Sequence, residues 1–154
     1  MAGTGLQTAE AQRISPNRSA IQIALMIGAV SDAFEGRSDE AGRYSNLRPD
    51  LIVRLNAAPP SLVVDGALTA PWQDGAIEAA PFTGDPNFAR FHMENVPAIL
   101  CLDMAVILIN QQDVIGLYID GQQVAMEQQS LGEYLDQIAP QCGDQPVSID
   151  VIVS

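Results

Sequence analysis

Lysine is absent from this chain. Its absence removes Schiff-base chemistry, the phosphate-binding lysine of P-loops and any lysine general base from the chemistry available. Histidine is almost absent: His92 stands alone, with Glu94 two residues away and no Gly-x-Ser-x-Gly elbow anywhere. A histidine catalyst needs a nucleophile or an orienting acid beside it. Cys101 is the one thiol near in sequence, and a nine-residue spacing guarantees no contact. His92 therefore reads as a structural or surface residue. The two cysteines, Cys101 and Cys142, form neither a Cys-x-x-Cys pair nor a His/Cys spacing suited to zinc. Cys101 lies in an apolar run and reads as a small buried hydrophobe. Whether it bridges to Cys142 stays open, and a bridge implies an oxidising compartment. Aromatics make up only 5% of residues, so the core falls to Ile, Leu, Val, Ala and Met. The apolar fraction of 47% excludes global disorder.

Positive charge is scarce, and it stops early. Nineteen acids face seven arginines, for a formal net charge of −12. Beyond Arg90 there is no Arg or Lys, while Glu94, Asp103, Asp113, Asp120, Glu127, Glu133, Asp136, Asp144 and Asp150 all follow it. A surface of this kind repels phosphate backbones and anionic lipid headgroups. Nucleic acid and membrane are excluded as partners on that ground. Basic proteins and cations are favoured, and the acid excess also keeps a protein soluble. No cofactor is implied.

No hydrophobic run spans a bilayer. Residues 20–30 follow Arg13 and Arg18 with the outline of a signal peptide, but Glu10 and Asp32 stand where such a peptide wants neither. The run 96–109 is too short and holds Asp103. The expected location is cytoplasmic or within a particle, with secretion not favoured.

What is present suggests an α+β fold: a mostly antiparallel sheet with a buried N-terminal helix. Residues 1–18 are small and polar and read as a flexible arm, with a glycosylation sequon at Asn17-Arg18-Ser19. Residues 19–154 read as a single α+β domain. Ser19 is a good N-cap for a helix running to about Glu35, before Gly36. Ile23, Ile27, Val30 and Phe34 share one stripe of it. Residues 37–50 read as a charged loop and 51–55 as a strand. Residues 62–68 read as a strand pair turning at Asp65-Gly66. Residues 69–90, rich in Pro and Gly, read as a long loop holding the lone tryptophan, Trp72. Three strands then form a meander, over 98–109, 114–119 and 122–126, with Asp120-Gly121 as the second turn. Ser130-Leu131-Gly132-Glu133 is a capping box, opening a helix that buries Leu131, Leu135 and Ile138 and stops before Pro140. The alternation of Val147, Ile149, Val151 and Val153 predicts a half-buried last strand.

From Leu117 to Val153 this ending resembles the periplasmic domain of the ExbD/TolR transport proteins, in which a strand with an Asp-Gly turn leads to a short helix and another strand. The likeness covers about a quarter of the chain and includes no diagnostic residue. The family's N-terminal membrane helix, with its functional aspartate, has no counterpart here. The resemblance implies shared supersecondary structure and carries no activity with it.

No catalytic, cofactor or metal set emerges. Asp32, Glu35, Asp39 and Glu40 cluster without the spacing of a calcium loop and enclose Arg37, as a solvated helix end does. The residues expected at an interface are Ile23, Ile27, Val30, Phe34, Trp72, Gln111 and Gln112. Trp72 would serve equally as a plug in its own core. The leading expectation is a non-enzymatic subunit of a larger assembly, such as a virus or phage particle, in contact with copies of itself or other proteins. Its rivals are an acidic inhibitor or immunity-type protein holding a basic partner, and a small carboxylate enzyme using a divalent cation.

Overall fold

The computed structural model describes residues 16–36, 41–126 and 130–154. The expected flexible arm lies outside them except at residues 16–18, which already belong to the first helix, α1 (Pro16–Ala33). Proline is tolerated in a first turn, where its missing N–H is not called upon. Ser19 is therefore no cap: it sits inside α1 and is buried. At the far end of α1, Arg43 takes the place of a capping residue. Its Nε donates to the carbonyl of Phe34 and its Nη2 to that of Ser31, at 3.1 and 2.7 Å. A cation there meets the negative end of the helix dipole.

Residues 51–54 are helical, within α2 (Pro49–Arg54), and Leu55 is its C-cap. Their branched side chains suggest a strand. Pro49 in the first turn, Asp50 beside it and the left-handed Asn56 just past the end set a single helical turn and a half instead. The Asp65-Gly66 turn forms as expected, joining β1 (Val63–Val64) to β2 (Ala67–Leu68), with both turn residues at positive φ.

The largest departure from expectation lies at residues 69–90. They are not one long loop, since β3 (Ala76–Phe82) and the first half of β4 (Asp85–Val96) occupy them as a hairpin around Thr83-Gly84. Alanine-rich strands carry little β-propensity, and Pro81 argues against a strand. β3 is an edge strand, though, where proline is admitted because one row of N–H groups has no ladder to serve. Residues 98–109 depart as well: they form a helix, α3 (Ala98–Ile109), and not the first strand of a meander. A run that is apolar at almost every position has no periodicity to distinguish strand from helix. Packing decides it, because α3 touches α1 on one side, α4 (Leu131–Cys142) on another, and the sheet beneath.

β5 (Val114–Ile119) and the short β6 (Gln122–Gln123) make the expected Asp120-Gly121 hairpin. The capping box is present: Glu133 N–H donates to Ser130 Oγ and Ser130 N–H to Glu133 Oε1. α4 does not stop before Pro140 but carries it in its last turn as far as Cys142, and Leu131 is exposed where burial was expected. Cys142 is disulfide-bonded to Cys101 of α3, with their Cα atoms 5.7 Å apart. β7 (Val147–Val153) closes the sheet from its centre: the order is β3-β4-β7-β5-β6, antiparallel throughout. β4, α3 and β5 thus form a split β-α-β unit with β7 inserted between the parallel strands. The chain is α+β. Its core lies between the sheet and the helices, where Phe91, Met93, Leu117, Ile149 and Val151 meet Ile23, Ile27, Met104 and Leu108.

Candidate functional site

The stripe of α1 is enclosed by the chain itself. Ile23, Ile27, Val30 and Phe34 are all buried, and Phe34 packs against the ring of Tyr44 with centroids 5.3 Å apart. Their burial asks for no neighbouring molecule. Trp72 is half-buried, and its Nε1 donates to the carbonyl of Glu94 at 2.8 Å. Gln111 is also turned inward, with Nε2 donating to the Ala24 carbonyl at 2.9 Å, while Gln112 is exposed. Of the acidic cluster, Asp39 and Glu40 lie outside the described residues, and Asp32 and Glu35 are exposed. Among the described residues no group of three or more His, Cys, Asp or Glu is disposed to hold a metal ion.

What the fold does bring together is a charged group on the sheet face away from the helices. Side chains alternate along β4, so Phe91 and Met93 enter the core while Arg90, His92 and Glu94 stand on the other face. β7 pairs with β4 so that Asp150 is opposite His92. The His92 ring is engaged at both nitrogens. Nδ1 lies 2.6 Å from Asp150 Oδ1, and Nε2 lies 2.5 Å from Glu94 Oε1. Arg90 closes the group, its Nη2 at 2.9 Å and Nε at 3.1 Å from the same Asp150 oxygen. His92 and Asp150 are 17% and 14% exposed at their side chains, and Glu94 49%.

Partial burial by itself favours neutral imidazole, whereas the hydrogen bonds to Glu94 and Asp150 and the charges of both favour the cation. The second influence prevails and raises the pKa of His92 above its ordinary value. Geometry says the same: two carboxylates can both be served only by a ring that carries a proton on each nitrogen. This occupies His92 fully. Among the described residues its hydrogen-bond partners are Asp150, Glu94 and Arg90, which together make an ion network. The sequence holds one signal of it, the i, i+2 spacing of Arg90, His92 and Glu94. That signal becomes visible only once residues 85–96 are known to be a strand. Asp150, far along the chain, could not be assigned to His92 without the register.

Several other carboxylates are committed to donors of the chain itself. Asp120 Oδ1 accepts from the N–H of Ser148, and Asp50 pairs with Arg48 and Arg54. Glu133 is held below the usual carboxylate range by the backbone N–H and side chain of Ser130. Compared with known proteins, the chain matches no protein-family model, no curated protein and no solved structure. Among the described residues no helix is long and apolar enough to cross a membrane.

Proposed function

We propose that this protein works by holding a basic protein partner through its helical layer, and not by transforming a substrate. One observation carries the reading. Each of the three helices of that layer turns a large aliphatic side chain outward: Leu25 of α1 at 58% exposure, Ile99 of α3 at 75% and Leu131 of α4 at 58%. Single exposed apolar residues are ordinary. Three on helices joined through α3 give a partner something to bury. Asp32, Asp103, Glu133 and Asp136 stand exposed on the same helices, so the rim offered around the aliphatics is negative. That arrangement suits arginine and lysine on the other side and discourages a second copy of an acid-rich chain.

This reading combines the assembly-subunit and acidic-binder expectations. The Cys101–Cys142 bond supports an oxidising compartment over the cytoplasm. To test the reading, the intact chain is used to isolate its partner from its own cells, and the purified pair is titrated. We expect affinity to fall steeply between about 0.1 and about 1 M salt, as the screening length drops from ~10 to ~3 Å, and to be lost on Ile99→Asp. Binding that ignores salt, or that survives both Ile99→Asp and Leu25→Asp, overturns the proposal.

A further inference from the structure

We propose that His92 is a pH-operated latch between the two strands at the heart of the sheet, closed while its ring is doubly protonated between Asp150 and Glu94 and released when one proton leaves. The geometry carries this. β4 and β7 are adjacent, and His92 is paired directly with Asp150 across them. Nδ1–H donates to Asp150 and Nε2–H to Glu94. A neutral ring has one N–H, so it can serve only one of the two carboxylates and turns a lone pair toward the other.

The nitrogen that gives up its proton follows from the surroundings. Asp150 is the more enclosed carboxylate and also receives Arg90, so the Nδ1–H bond is the better supported. Glu94 is about half exposed and has freedom to turn into water. The proton therefore leaves Nε2 for solvent base, and the Glu94 side chain swings away. The groups facing the ring are Arg90 and Glu94 from β4 itself, Asp150 from β7, and Glu78, paired with His92 on β3. Tyr118 of β5 lies one strand further, opposite Asp150. With His92 neutral, the three acids and Arg90 sum to −2; with it charged, to −1. Protonation relieves like-charge repulsion across β3, β4 and β7 at once.

His92 binds its proton more tightly folded than unfolded, so its stabilisation is complete below the ordinary histidine value of 6.5. It disappears as the pH climbs through the higher folded value.

His92 is the chain's only histidine, so its ring resonance can be followed by NMR without an assignment problem. The expected titration midpoint lies above 6.5, and it moves down in Asp150→Asn and in Glu94→Gln. In parallel, the melting temperature of the wild type falls as the pH rises through that midpoint. The fall is absent in His92→Gln. A midpoint at or below 6.5, or an identical fall in His92→Gln, overturns the latch. Should His92→Gln fail to fold, the wild-type and Glu94→Gln titrations decide the matter between them.

Discussion

Tyr44 and Trp72 each donate a side-chain hydrogen bond to a distant backbone carbonyl. Tyr44 is fully buried, with its hydroxyl donating to the carbonyl of Ser154 at 3.0 Å, so the loop after α1 is fastened to the end of β7. Trp72 is fastened to β4 through Glu94 in the same manner. The indole lies so close to Gly75 that a Cβ there would stand 2.0 Å from Trp72 Nε1 and 2.8 Å from the Cβ of Ala70. Glycine is needed at that position for space, whatever its backbone freedom. Gly75→Ala must expel the indole from its seat. We expect a loss of about 1–3 kcal/mol, as for other overpacked sites, with a red-shifted tryptophan emission reporting the exposed ring. Unchanged emission and stability would show that the loop bears no strain from the added carbon. Neither tyrosine nor tryptophan discloses such a partner in the sequence, because a carbonyl acceptor is offered by every residue and only the fold selects one.

At the scale of elements, local chemistry made some segments readable and left others ambiguous. The two Asp-Gly turns and the Ser130 capping box are legible because each is completed within four residues of chain. α3 is not, since an unbroken apolar run fits a buried strand or a helix wrapped on all sides. Nor is the β3–β4 hairpin, whose alanines and prolines read as loop until β7 is placed beside it. Pro140 misleads in the opposite direction: α4 continues past it, and the last turn is held by Ile138 and Cys142 in the core and by the bond to Cys101. That bond joins α3 to α4 and closes a loop with a sequence separation of 41. Closing a loop of that size removes about 4 kcal/mol of chain entropy from the unfolded state. The double variant Cys101→Ala with Cys142→Ala is expected to lose about that much in denaturant unfolding, with α4 loosening first in amide exchange. Equal stability of the two proteins would place the bond among the dispensable ones.

For the whole molecule, charge and exposure point in one direction. Asp50, Glu94, Asp120, Glu133 and Asp150 are all taken up by donors of the chain itself, and among the described residues no three His, Cys, Asp or Glu are grouped so as to hold a metal ion. The expected result is a melting temperature unmoved by millimolar calcium, magnesium or manganese. A clear rise with one of them revives the carboxylate-enzyme reading, because a ligand that binds only the folded state must stabilise it. Composition and short-range pattern determined the acid excess, the aliphatic core and the α+β class, since each depends on residue totals or on patterns only a few positions long. The tertiary structure decided which apolar residues remain outside, which cysteines meet, and that a lone histidine stands between two acids. Those are relations among segments far apart in the chain, and strand register, fixed by burying one whole face of a sheet, is what creates them.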